Sequence, residues 1–248
     1  DLARETLAKS IGAKENEIVF TSGGTEADNM ALFGVAESYR HKGKHIITTL
    51  VEHHAVLHAC QRLEKMGYEV TYLPVDKTGS VSMNDLSEAL RTDTILVSIM
   101  YGNNEVGSIQ PIKEIGELLK PHQAMFHTDA VQAYGIEDID VKELNVDLLS
   151  VSAHKINGPK GTGFLYVRDK VKLVPRAYGG EQERKRRAGT ENVAAIVGFQ
   201  TAVQIATEER LNNREKYQGF KKTFIDHLSN QNVDFSINGL LEHSLPHV

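Results

Sequence analysis

The chain has 248 residues, 40% hydrophobic and 25% charged, which is ordinary for a globular protein and long enough to bury a sizeable core. Its net charge of -5 argues against nucleic acid as a partner, its longest apolar runs are far too short to cross a bilayer, and its one cysteine, Cys60, excludes an internal disulfide. With no basic-then-apolar signal pattern at the start, a cytoplasmic setting without a membrane or nucleic-acid partner is expected.

Taken in chain order, the sequence opens on Asp1, already inside the helical pattern LARETLAKSIGA, and not on Met. EIVFT (17–21) reads as a strand and passes through SGGT into a helical pattern over 26–41. Strand candidates HIITTL (45–50), EVTYLPV (69–75) and TILVSIM (94–100) alternate with helical patterns over 55–66, 83–90 and 112–119. AMFHTDA (124–130), LLSVSAH (148–154) and GFLYV (163–167) complete the strands. The basic run ERKRRAG (183–189) reads as a mobile, solvated loop. A long helical pattern spans about 192–210. Beyond EERLNNREKYQ the composition changes, and a helix FKKTFIDHL and the segment VDFSING follow. This rhythm predicts an α/β fold with a mostly parallel seven-stranded sheet flanked by helices. It divides the chain into a large domain over 1–210 and the start of a small α+β domain over 211–248. The closing SLPHV reads like a strand just beginning, so the whole has the look of an excised piece.

In sheets of this kind ligands sit beyond the carboxyl ends of the strands. The polar, Gly-rich clusters at 21–25, 52–54, 102–107, 129–132 and 152–155 all fall there, which implies one site. The stretch TSGGTEADN suits a phosphate cradle at a helix N-terminus, with Gly24 and Thr25 at its heart, and equally an ordinary capped helix start. It has neither the lysine of a P-loop nor a G-x-G-x-x-G fingerprint. Asp129 ends an apolar strand, where a carboxylate requires either a cationic partner or a helix N-terminus to cap; Gln132 follows one turn later. His53, His54 and His58 invite a zinc reading, but no carboxylate or cysteine at ligand spacing supports a metal. A histidine lying flat on an aromatic ligand suits the strand-end position better. Lys155, in SAHKINGPKG, is fixed between an apolar strand and a Gly-Pro turn, where a desolvated amine becomes a nucleophile for an aldehyde. Phosphate cradle, strand-end acid, flat histidine and fixed lysine together are the requirements of pyridoxal phosphate.

These stretches, with YGNNEVGSIQPI, FHTDAVQAYG and RAGTENVAAIVG, resemble the cysteine desulfurases of the class V aminotransferase group, and within them the group I branch. The resemblance runs over nearly the whole chain and implies the fold type I architecture of pyridoxal-phosphate enzymes. It implies that Lys155 forms the covalent link to the cofactor and that Gly24, Thr25, Ser152 and His154 hold its phosphate. His53 would stack on the ring and move protons, and Asp129 would meet the pyridine nitrogen. Gln132 and Asn104 would lie near the phenolic oxygen, and Thr190 would reach the phosphate of a neighbouring subunit in a homodimer. The implied reaction takes L-cysteine to L-alanine and hands sulfur, through an enzyme persulfide, to an acceptor protein of iron–sulfur assembly or tRNA thiolation. The family's catalytic cysteine loop, its substrate-binding arginine and its N-terminal segment have no counterpart in this chain, and Cys60 reads as a packing residue. Another class V enzyme (aminotransferase, selenocysteine lyase or kynureninase-like) and a catalytically silent docking scaffold are the alternatives.

Overall fold

A computed structural model describes residues 1–248. All seven expected strands form: β1 (Ile18–Thr21), β2 (His45–Thr49), β3 (Glu69–Leu73), β4 (Thr94–Ser98), β5 (Met125–Asp129), β6 (Leu148–Ser152) and β7 (Gly163–Val167). They make one sheet in the order β1-β7-β6-β5-β4-β2-β3. The helices are α1 (Leu2–Lys9), α2 (Gly24–Ser38), α3 (His54–Lys65), α4 (Met83–Ala89), α5 (Ile112–Leu119), the four-residue α6 (Gln182–Lys185), a single turn whose Glu183 and Arg184 depart from right-handed helical geometry, and α7 (Val193–Asn230).

Strands β2 to β6 pair in parallel, while β7 runs antiparallel to both β6 and β1. Chain length explains the exception. A parallel return needs a crossover of a dozen or more residues, usually a helix. The link from Ser152 to Gly163 holds only the 3-10 turn Ala153–Ile156 and the turn after it, so the chain comes straight back. Strands β1, β2, β4, β5 and β6 consequently end on one edge of the sheet, with their loops side by side.

Two apolar cores sandwich the sheet. One gathers Leu7 of α1, Leu86 of α4, Ile115 of α5 and Phe199 of α7 against Phe164 and Tyr166. The other packs Met30 and Leu32 of α2 and Val56 and Leu63 of α3 against Leu165 and Val167. The alternation of Phe164, Leu165, Tyr166 and Val167 between the two is the period-two signature of a strand buried on both faces. Helix α2 is covered nearly all round, from Ala27 to Ala36.

Two elements near the C-terminus differ from expectation: SLPHV, which reads as a strand beginning, contributes only an isolated bridge between Ser244 and Ser108, and the long helix runs further than its pattern predicts. The helix expected to stop near Arg210 continues without a break to Asn230, through the composition change at Leu211. Its first turns bury Ala195, Ile196, Phe199, Ala202 and Val203, and later residues are largely exposed. A change of surface composition is not a helix stop: no proline interrupts the stretch, and i,i+4 pairs such as Lys222–Asp226 support it.

Candidate active site

The loop after β1 prepares the first wall. Gly23, at φ 148°, is the N-cap of α2 and has no side chain to offer, so the N–H groups of Gly24, Thr25 and Glu26 open the helix without intrahelical acceptors. Gly24 lies so close to Val131 that an added Cβ would stand 2.7 Å from its Cγ2. Across from this turn, Ser152 Oγ and His154 Nδ1 are hydrogen-bonded at 2.7 Å, which leaves His154 Nε2 free. The two walls approach because β7 begins with glycine: a Cβ on Gly163 would sit 2.3 Å from the Val151 carbonyl oxygen and 2.8 Å from Gly23 Cα.

A cavity of about 270 Å³ opens between them, lined by Gly24, Thr25, His53, Asn104, Asp129, Gln132, Ser152, His154 and Lys155, every expected site residue except Thr190. Asp129 is buried at the end of β5, and its Oδ1 accepts the Val131 N–H at 2.9 Å. Burial raises its carboxyl above the usual range, while the Val131 bond and the charges of His53 and Lys155 pull it back. His53 caps α3: its Nδ1 accepts the Ala55 N–H at 3.1 Å, so in the neutral ring the proton sits on Nε2. Of the two asparagines in YGNNEVG, Asn103 is buried and ties the loop by bonds to the Val51 carbonyl and the N–H groups of Glu105 and Val106. Asn104 is thereby left to face the cavity. Gln132 Oε1 accepts from His247 Nε2 at 3.3 Å. Lys155 stands on the 3-10 turn Ala153–Ile156, closed by Asn157 in the left-handed region and by the Gly158 N–H to Ala153 carbonyl bond of 2.9 Å. Its backbone is fixed as expected, but its side chain is exposed and not desolvated, because the turn lifts it out of the strand into the open cavity.

Sequence reading missed the acids beneath this site. Asp28, on the second turn of α2, lines the cavity, is buried, and has no hydrogen-bond partner on Oδ1. Its signal was available: a helix apolar on every face leaves an acid no route to water. Burial and the nearby Asp129 carboxylate drive the Asp28 carboxyl well above its ordinary value. Glu52 is also buried; its Oε1 accepts from Thr49 Oγ1 and the Met100 N–H, both at 2.9 Å, stitching the end of β2 to the end of β4. Burial pushes its carboxyl to about 8. His127, between Ser98 Oγ at 2.8 Å and Ser150 Oγ at 3.0 Å, is pushed down to about 3 by burial and is neutral.

Three remaining features lie elsewhere. Thr190 is exposed and borders a separate small cavity with Ser22, Gly161 and Arg187. Cys60, on α3, is fully buried in the apolar core it shares with α2, and burial pushes its thiol up to about 12, which makes it inert. The basic run is not the mobile loop expected: Glu183 pairs with Arg4, Arg186 donates to the Asn16 carbonyl, and Arg187 pairs with Glu26 at 2.8 Å.

The family profile described as "Aminotransferase class-V" matches residues 1–237. The chain belongs to the class-V aminotransferase family. Among curated members, the IscS 1 protein of Bacillus subtilis (strain 168) is 62% identical over 248 residues, 100% of this chain and 65% of that protein. The protein named "Cysteine desulfurase IscS" of Methanosarcina thermophila is 63% identical over 209 residues, 84% of this chain and 52% of that protein. A solved structure titled "NifS-like protein" superposes with a TM-score of 0.94 at 41% identity, covering 99% of this chain and 67% of the other. This class-V chain thus spans between about half and two thirds of the length of the curated relatives it matches.

The family's cofactor is pyridoxal phosphate, and the cavity fits it. Free N–H groups at the start of α2, the Thr25 hydroxyl and the hydrogen-bonded Ser152–His154 pair, which keeps one proton to donate, form a donor set for a phosphate dianion. Asp129, buried without a cationic hydrogen-bond partner, is matched to a protonated ring nitrogen.

Proposed function

We propose that the whole protein is a cysteine desulfurase, working as a cytoplasmic homodimer, that converts L-cysteine to L-alanine. Sulfur leaves as a persulfide on an enzyme cysteine and passes to an acceptor protein of iron–sulfur assembly or tRNA thiolation. The observation that carries the reading is the convergence of Thr25, His53, Asn104, Asp129, Gln132, Ser152, His154 and Lys155 on one cavity in a chain whose relatives carry that name.

Bound there, pyridoxal phosphate supplies an aldehyde that condenses with amines and a ring that withdraws electrons. The first turn of α2, Thr25, Ser152 and His154 would grip its phosphate, and Asp129 would keep the ring nitrogen protonated. Lys155 offers the amine. His53, with its Nδ1 engaged by Ala55, gives and takes protons at Nε2. Gln132 and Asn104 orient the phenolic edge of the ring and the substrate. The acceptor thiol is assigned outside residues 1–248, because Cys60 is walled into the core. Thr190, exposed and away from its own cavity, is assigned to the phosphate of the partner subunit. Residues from about 211 onward are assigned to a second, smaller domain, a reading supported by the exposure of the later turns of α7.

Borohydride reduction of the cofactor-loaded protein followed by peptide mapping tests the site: the adduct is expected on Lys155, and an adduct on Lys160 overturns the assignment. Product analysis with L-cysteine tests the reaction. Alanine with transferable sulfur is expected, and a keto acid product would make the protein a transaminase of the same family.

A further inference from the structure

The segment that carries Thr190 is held far more firmly than a solvated basic run requires. Glu183, Arg184 and Lys185 occupy the left-handed region in succession, with φ of 47°, 56° and 65°, where every Cβ carries a steric cost. Something must hold them there, and Glu183 does. Only 7% exposed, its carboxylate accepts from Arg4 Nη1 at 2.9 Å, Arg4 Nη2 at 2.7 Å and the Phe20 N–H at 2.9 Å. Arg4 in turn donates to the Ile18 carbonyl at 2.7 Å and lies over the Phe20 ring at 4.5 Å. A bidentate guanidinium–carboxylate pair closed by a strand N–H fixes both distance and orientation, and losing one partner leaves the other charge buried alone. The left-handed turn then sends Arg186 and Arg187 back onto their own subunit, at Asn16 and Glu26, and leaves Thr190 exposed. Glu183 and Thr190 border the same small cavity, seven residues apart on one short segment.

We propose that Glu183 is a positioning residue: paired with Arg4 and the β1 backbone, it locks the left-handed turn and so presents the Thr190 hydroxyl to the cofactor phosphate of the partner subunit. The functional half of this inference rests on the homodimer reading of Thr190 given above.

Residues 184–187 are four consecutive trypsin sites, which makes the lock directly readable in the protein loaded with pyridoxal phosphate. Glu183→Gln should be cut there about tenfold faster than wild type, with unchanged circular dichroism. It should also release cofactor on dilution about tenfold faster, and Glu183→Gln/Thr190→Val should release it no faster than Thr190→Val alone. Should Glu183→Gln not fold, Glu183→Asp, which keeps the charge and shortens the reach, should show the same pattern at smaller amplitude. Trypsin cleavage at the wild-type rate in either variant overturns the lock. Additive release in the double variant overturns the route through Thr190. Wild-type release by Thr190→Val refutes the reading of Thr190 and with it the link to the cofactor, whereas the trypsin result still decides the lock by itself.

Discussion

Replacing Glu52 with glutamine should stabilise the cofactor-free protein, and by an amount that grows with pH. The substitution preserves shape: the amide oxygen can accept the same two bonds, from Thr49 Oγ1 and the Met100 N–H, that Oε1 accepts at 2.9 Å. What it removes is a buried carboxyl whose other oxygen has no partner. Burial raises this group from 4.5 to about 8, so between those values the folded protein holds a proton that the unfolded chain has released. A folded state that binds more protons loses stability as pH rises, and the wild type should do so across that window. At ~1.4 kcal/mol per pH unit, the burden is about 3 kcal/mol at pH 7 and about 5 kcal/mol above pH 8. Urea unfolding of wild type and Glu52→Gln at a series of pH values is the assay. The gain should be under ~1 kcal/mol at about pH 5 and rise to ~3 kcal/mol at about pH 7. A gain independent of pH, or a variant less stable throughout, would refute the reasoning that burial governs this carboxyl.

The other acids and the two tight positions give further tests. Asp28→Asn should raise the melting temperature at neutral pH and leave it unchanged near the ordinary carboxylate range, because burial and Asp129 hold Asp28 well above it; a thermal scan at both pH values checks this. Asp129→Asn should fold normally yet bind pyridoxal phosphate ~10-fold or more weakly with a shifted visible absorption band, since a charge-assisted bond to the ring nitrogen is lost. Gly163→Ala should cost at least ~1–3 kcal/mol in denaturant unfolding, because its methyl meets backbone atoms at 2.3 and 2.8 Å that cannot both retreat. Cys60 should resist a disulfide reagent in the native state and react at once in denaturant; fast native labelling would contradict its burial and its raised thiol.

Sequence alone determined the seven strands, the edge on which the site forms and, with the family resemblance, the polar residues that line it apart from Asp28. Those features are local: period-two apolar runs, Gly-rich turns at strand ends and a lysine placed by a Gly-Pro turn are written within a few residues of one another. The tertiary structure decided everything that depends on what lies across a gap. It ran α7 straight through a change of composition, since a helix stops for want of backbone partners and not for a change of surface. It turned Lys155 out into an open cavity, because the 3-10 turn and not burial sets its direction. It supplied the reason that Asn104 and not Asn103 faces the cavity, by giving the latter three backbone bonds. It gathered Asp28, Glu52 and Asp129 from three separate elements under one cofactor site, where burial raises all three and the Asp129 charge adds to the rise at Asp28 and Glu52. And it joined Arg4 to Glu183 across 179 residues, converting a run that reads as solvated charge into a fixed turn. Charge pairing and desolvation are long-range in sequence and short-range in space, so only the folded chain could reveal them.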